Sequence, residues 1–193
     1  NFSSFNKLQG LKNGFIYCMY EDHRGNIWIS TERSGVTRYD GQSFKNFTSA
    51  EGLPDDKAYS IIEDHTGNLW IGTYGKGVCK YDGRSFTQFD VKEGVINKNV
   101  VSILEDKAGD IWICTLGGGV LQLKSALDGS AGTFTQYTEK EGLPFNFVTC
   151  ILEDKKGDLW FGTYGGGISR FDGTSFFNYS SKEGLTSDYI WKI

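Results

Sequence analysis

Proline, methionine and histidine are scarce: the sequence holds 2, 1 and 2 of them in 193 residues. With only His23 and His65 available, the chain supplies no plausible Ser-His-Asp or Cys-His set for nucleophilic catalysis. The 4 cysteines, Cys18, Cys79, Cys114 and Cys150, include no Cys-x-x-Cys spacing, so neither a zinc site nor any other cofactor is expected. They read as small buried thiols, and they leave the redox compartment open. No run of apolar residues approaches the roughly 18 that a membrane helix needs, so no membrane contact is expected within the segment. Asn1 to Gln9 have neither a basic start nor an apolar stretch, and no signal peptide is expected there. Basic residues are not in excess either. Lys and Arg number 20 against 24 Asp and Glu, for a net charge of −4. The cations are scattered singly, which argues against a nucleic-acid surface.

Glycine and aromatic residues are what the chain has in quantity: 26 glycines, and 15% Phe, Trp and Tyr. With so little proline, that composition suggests many short strands joined by tight turns. Internal repeats settle the architecture. Glu-Asp-His-Arg-Gly-Asn-Ile-Trp ends at Trp28, and its counterparts end at Trp70, Trp112 and Trp160. The spacing is 42, 42 and 48 residues, the last lengthened by an insertion of six within Lys124–Gly132. A glycine lies 18 residues before each Trp (Gly10, Gly52, Gly94, Gly142), and an aromatic pair closes each unit: Phe44/Phe47, Phe86/Phe89, Phe134/Tyr137 and Phe176/Tyr179.

Each unit reads as four antiparallel strands, A to D. Strand A is the Val100-to-Asp106 type, followed by a Gly-containing hairpin turn. Strand B is the Leu69-to-Thr73 type, strand C runs from Gly77 to Tyr81, and strand D holds the aromatic pair. Four short strands per unit of about 40 residues are what a β-propeller blade requires. The Trp-Asp dipeptide and Gly-His pair of the WD40 class are missing.

The run Glu-Asp-x-x-Gly-Asn/Asp-Leu/Ile-Trp-Ile/Phe-Gly-Thr-x-Gly-x-Gly, with Tyr/Phe-Asp-Gly after it, resembles the two-component regulator propeller repeat, and the resemblance covers essentially the whole chain. Ser30 and Cys114 replace the strand-B glycine, and Leu121-Gln122-Leu123 replaces the usual basic-aromatic-Asp ending. The resemblance implies a seven-bladed propeller in the periplasmic or other extracytoplasmic sensor region of a bacterial hybrid histidine kinase or related regulator. Many such regions sense carbohydrates. Output would come from segments outside this chain, where no kinase, receiver or DNA-binding motif occurs.

The expected fold is therefore all-β: one propeller domain or arc over 1–193, with blade units of about 2–43, 44–85, 86–133 and 134–175 and a partial unit over 176–193. Phe2 and Phe5 match a strand D, and Ile190 and Ile193 match a strand A. The reading is thus strand D, four complete four-stranded blades, and strand A of a partial fifth. Two outcomes stay open: an arc of a larger ring, or two copies assembling through sticky blade edges.

Repetition also weighs against catalysis, because an enzyme needs one asymmetric site. The Glu21/Asp22, Glu63/Asp64, Glu105/Asp106 and Glu153/Asp154 pairs read as structural, with each Asp capping the following hairpin turn, and the four repeat tryptophans as packing between blades. Variation between copies is concentrated on one face. The A–B and C–D turns are nearly uniform, whereas the D–A and B–C loops differ freely. Structure demands uniformity on one face and leaves the other free to specialise. The candidate ligand-binding residues are therefore Arg33, Asp55, Asp56, Tyr74, Lys76, Asn97, Asn99, Phe145, Asn146, Phe147 and Tyr164. Aromatics, amides and charges together suit a small polar ligand such as a glycan. The alternative partner is another blade or a second copy of the chain.

Overall fold

The computed structural model describes residues 10–11, 15–89, 97–124 and 132–193. The expected N-terminal strand at Phe2 and Phe5, the repeat glycine Gly94 and most of the insertion after Lys124 lie outside them.

Among the described residues, sixteen strands form four separate antiparallel sheets, each in the order A-B-C-D. Blade 1 comprises β1 (Ile16–Glu21), β2 (Ile27–Thr31), β3 (Val36–Tyr39) and β4 (Phe44–Phe47). Blade 2 comprises β5 (Ala58–Glu63), β6 (Leu69–Thr73), β7 (Val78–Tyr81) and β8 (Phe86–Phe89). Blade 3 comprises β9 (Val100–Glu105), β10 (Ile111–Thr115), β11 (Val120–Lys124) and β12 (Thr133–Tyr137). Blade 4 comprises β13 (Val148–Glu153), β14 (Leu159–Thr163), β15 (Ile168–Phe171) and β16 (Phe176–Tyr179). Consecutive A strands touch from blade to blade, so the A strands form the inner edge of the arc and the D strands the outer. The C-terminal residues 190–193 form no strand. The Ile190 amide donates to Thr163 O at 2.9 Å, so the segment lies beside blade 4, where the described blades begin a following strand A.

The core lies between sheets. One buried cluster joins Trp28, Val36 and Phe47 of blade 1 to Ala58, Ile61, Leu69 and Tyr81 of blade 2. The tryptophans make these joints, as their repetition predicts. Trp28 stacks on Phe47 of its own strand D at 5.3 Å and meets Tyr81 of the next blade at 6.0 Å. Trp112 does the same with Tyr137, and then with Phe161 and Phe171. Each large apolar side chain so buried contributes roughly 1.5–3 kcal/mol. The four cysteines are free thiols, three of them buried.

The A–B turns combine two carboxylates with separate tasks. Asp64 accepts from the amides of Thr66 (3.0 Å) and Asn68 (2.9 Å) and from Trp70 Nε1 (2.8 Å). The same bonds recur at Asp22, Asp106 and Asp154. Asp thus caps its own turn and anchors its own Trp. Glu instead reaches backwards. Glu63 accepts from the His23 amide at 2.7 Å, Glu105 from the His65 amide at 2.8 Å, and Glu153 from the Lys107 amide at 3.1 Å. Each of these links one blade to the blade before it, and the side chains of His23, His65 and Lys107 pair with the same carboxylates.

Candidate ligand-binding rim

The opposite face is built from backbone. The Thr of each strand B is fully buried, and its hydroxyl donates across the B–C loop to a glycine carbonyl, as Thr73 does to Gly77 O at 2.8 Å. Two amides of that loop then point to one carbonyl of the next D–A loop. Gly75 and Gly77 donate to Lys98 O at 2.9 and 3.0 Å, Gly117 and Gly119 to Asn146 O at 3.1 and 2.9 Å, and Gly165 and Gly167 to Asp188 O at 2.9 Å each. Blade 1 keeps one of the pair, Gly35 to Asp56 O at 2.8 Å. The second glycine cannot be replaced. Gly167 has φ +77°, and a Cβ there would lie 2.1 Å from Tyr179 O.

Three side chains per blade stand on this frame: the residue before strand A, the second residue of strand A, and the residue after strand B. Every strand A has a register shift that leaves its second residue, Tyr17, Tyr59, Val101 or Thr149, without a cross-strand partner. Such bulges re-aim side chains.

The predicted residues divide accordingly. Phe145 and Phe147 stack at 5.6 Å, and with Tyr164, Gly165 and Tyr189 they line an open cleft of about 430 Å³. Tyr164 meets Tyr189 at 4.9 Å and Trp191 at 5.0 Å, both edge-on. Phe147 is 42% exposed and Tyr164 41%. Tyr74 belongs to a second cluster. It stacks on Tyr59 at 5.5 Å, Tyr59 stacks on Tyr17 at 4.0 Å, and Lys57 Nζ lies 5.9 Å from the Tyr74 ring centre. Burial raises the Tyr59 phenol pKa, and the Tyr17 hydroxyl 3.2 Å away adds to the shift.

Between the clusters, blade 3 presents Asn97 and Asn99. Asn97 is occupied locally, donating to Leu116 O at 3.0 Å and accepting from the Asn99 amide at 2.9 Å. Asn99 pairs by its backbone with Tyr74 and is partly exposed. Asp55, Asp56 and Asn146 are likewise occupied in their own loops, accepting from the amides of Lys57, Ser49 and Glu139 at 2.9, 2.7 and 3.0 Å. Arg33 and Lys76 are exposed, Arg33 with Glu32 at 3.9 Å. Sequence reasoning missed Tyr17, Tyr59, Tyr189 and Trp191 as rim residues. For Tyr17, Tyr59 and Trp191 the available signal was the second position of the strand-A repeat, which is aromatic in three of its five sequence copies; Tyr189 lies two residues earlier, at the residue before that repeat.

On the other face two smaller clefts, of about 90 and 160 Å³, lie between blades 1 and 2 and between blades 3 and 4. Their walls include the Asp–Trp anchors already described. Among the described residues no group of three or more His, Cys, Asp or Glu side chains could hold a metal ion.

The two-component regulator propeller repeat matches at residues 10–33, 52–75, 94–117 and 142–165, once in every blade. The chain belongs to the two-component regulator propeller family. No curated protein matches this regulator propeller. Among solved structures it is similar to the extracellular domain of a putative hybrid two-component system from B. thetaiotaomicron, with 28% identity, a TM-score of 0.79, and coverage of 90% of this chain and 24% of that one. The extracellular domain of a putative one-component system from the same organism is 22% identical, with a TM-score of 0.70 and coverage of 84% and 25%. Virginiamycin B lyase from Staphylococcus aureus shares the fold at 16% identity, with a TM-score of 0.68 and coverage of 85% and 55%. The regulator propeller thus spans about a quarter of the length of the extracellular domains it resembles. No helix among the described residues is long and apolar enough to cross a membrane.

Proposed function

We propose that this regulator propeller is part of an extracytoplasmic sensing surface that binds a carbohydrate on the D–A/B–C rim and performs no catalysis itself. The observation that carries the reading is the aromatic cleft of Phe145, Phe147, Tyr164 and Tyr189, set on loops whose backbone is fixed by inter-blade hydrogen bonds. Rigid aromatic walls accept the C–H face of a sugar ring, and the phenol hydroxyls at their edge meet its hydroxyl groups. The 28% identity to an extracellular two-component domain supports the location and the role in signalling.

Calorimetric titration against a panel of neutral, acidic and N-acetylated oligosaccharides tests this. Phe147→Ala and Tyr164→Ala should weaken binding about tenfold or more while leaving the melting temperature within a few degrees. Unchanged affinity in Tyr74→Ala, Asn99→Ala, Phe147→Ala and Tyr164→Ala alike would sink the site.

A second reading, a scaffold that docks another blade or a second copy, draws on β1. There Ile16 is 48% and Met19 66% exposed, whereas their blade-2 counterparts Ala58 and Ile61 are 0% and 2% exposed. A stable dimer by light scattering, with no glycan bound, would favour it.

A further inference from the structure

We infer that the bulge position of the innermost strand sets specificity on the rim, and that Tyr17 and Tyr59 there form, with Tyr74, a second sugar-binding platform apart from the Phe147–Tyr164 cleft. This rests on the carbohydrate reading above and goes further, because it makes the ligand an oligosaccharide that contacts more than one blade.

Three observations support the platform. The bulge occurs at the same register step in all four innermost strands, between the first residue and the third. It is therefore part of the frame, and only its side chain changes. In blade 2 the first and third residues of strand A, Ala58 and Ser60, are 0% and 8% exposed, so the bulged residue between them is the one the strand turns outward. The side chain at that step is also uneven in a directed way. Blades 1 and 2 carry tyrosines whose rings stack at 4.0 Å and 17°, while blades 3 and 4 carry Val101 and Thr149. Thr149 directs its hydroxyl into backbone carbonyls, 3.0 Å from Gly162 O and 2.5 Å from Ile190 O.

The polar setting of the two clusters differs as well. The cleft is lined by Phe145, Phe147, Tyr164, Gly165 and Tyr189, with no charged side chain. The platform has Lys57 beside Tyr74 and Glu32, the blade-1 counterpart of Tyr74, close enough to act on the Tyr59 phenol. An ammonium, a carboxylate and paired phenol hydroxyls around an aromatic edge supply both donors and acceptors for sugar hydroxyls. A chain of sugar rings can lay one ring in the cleft on blade 4 and another on the platform on blades 1 and 2, passing Asn99 of blade 3 between them.

The test is calorimetry with neutral, acidic and N-acetylated families of linear oligosaccharides, each graded in length from the disaccharide upward, on the protein and on Tyr17→Val, Tyr59→Val and Phe147→Ala. Valine is the residue blade 3 already carries at the bulge, as Val101, so the strand tolerates it. The tyrosine variants are expected to lose about tenfold in affinity for the long members and nothing for the disaccharide, while Phe147→Ala weakens both. If Tyr17→Val and Tyr59→Val bind every length as the parent does while Phe147→Ala is weakened, the platform is wrong and the cleft stands. If the parent binds no member of any oligosaccharide family, the carbohydrate reading falls and the platform falls with it.

Discussion

The two faces of the arc hold neighbouring blades together by different chemistry. On the A–B/C–D face the work is done by side chains. An Asp carboxylate caps each turn and anchors a Trp, and a Glu carboxylate grips the turn of the preceding blade. On the D–A/B–C face it is done by main chain, with two loop amides converging on one carbonyl. The carbonyl belongs to Asp56, Lys98, Asn146 or Asp188, four positions with three different residues. A side-chain joint fixes the sequence, so the first face repeats Glu-Asp in every blade. A backbone joint fixes the glycines, the strand-B Thr and the turn-holding side chains such as Asp56 and Asn146, so the second face can change its remaining loop side chains at little cost to folding. Loop variability there follows from the bonding, and it is the condition for a specialised binding surface.

Substitutions can break this contrast at graded strength. The largest effect is expected at Gly167→Ala, where the added carbon meets Tyr179 O in a left-handed backbone conformation. A loss of about 3 kcal/mol or more in urea unfolding is expected, and a loss below 1 kcal/mol would mean that the backbone joint yields easily. Asp64→Ala comes next. It removes the turn cap and leaves Trp70 Nε1 without its acceptor, for about 2 kcal/mol.

The smallest effect should be the pH response of the side-chain joint. The Glu105 carboxylate that bonds the His65 ring raises the histidine pKa above its ordinary 6.5. A raised folded pKa means that this contribution is complete below pH 6.5 and fades as pH climbs through the raised value. His65→Lys copies the residue used at the next joint, Lys107, and should flatten that slope in melting temperature. An identical slope in the variant would remove His65 from the account. The carboxylates act at the other end of the scale. Burial alone would raise the Asp64 pKa, but the bonds from Thr66, Trp70 and Asn68 outweigh it and leave it below 3.8. Its contribution is therefore present above that value and lost as pH falls through the depressed one.

Most of the fold was legible because the repeat is covalent and local. Trp, turn glycine and aromatic pair recur at fixed offsets, and each marks a strand or turn of its own blade. The capping role of Asp was readable for the same reason, since its partners lie within six residues. The role of Glu was not, because its partner sits 40 or more residues away in the preceding blade. The rim shows the same limit. Phe145, Phe147, Tyr74 and Tyr164 stood out as loop residues, but Tyr17 and Tyr59 lie inside strands, where alternation suggests an ordinary sheet position. Only the bulge redirects them, and it is seen as a register shift between two paired strands, not in either strand alone. Several loop polar residues are less free than the sequence alone suggests. Asp56 and Asn146 look free in sequence, but they are occupied in holding the turns that precede them.

The backbone joint also bears on how such a chain can change over generations. A contact that recognises only amides and a carbonyl is satisfied by any unit carrying the glycines, whatever its other loop residues are. A copy of one unit, inserted in frame by duplication or recombination, would arrive with its backbone joint to either neighbour already correct. Its rim side chains would be redundant at first, and so free to diverge toward a new ligand before selection fixed them.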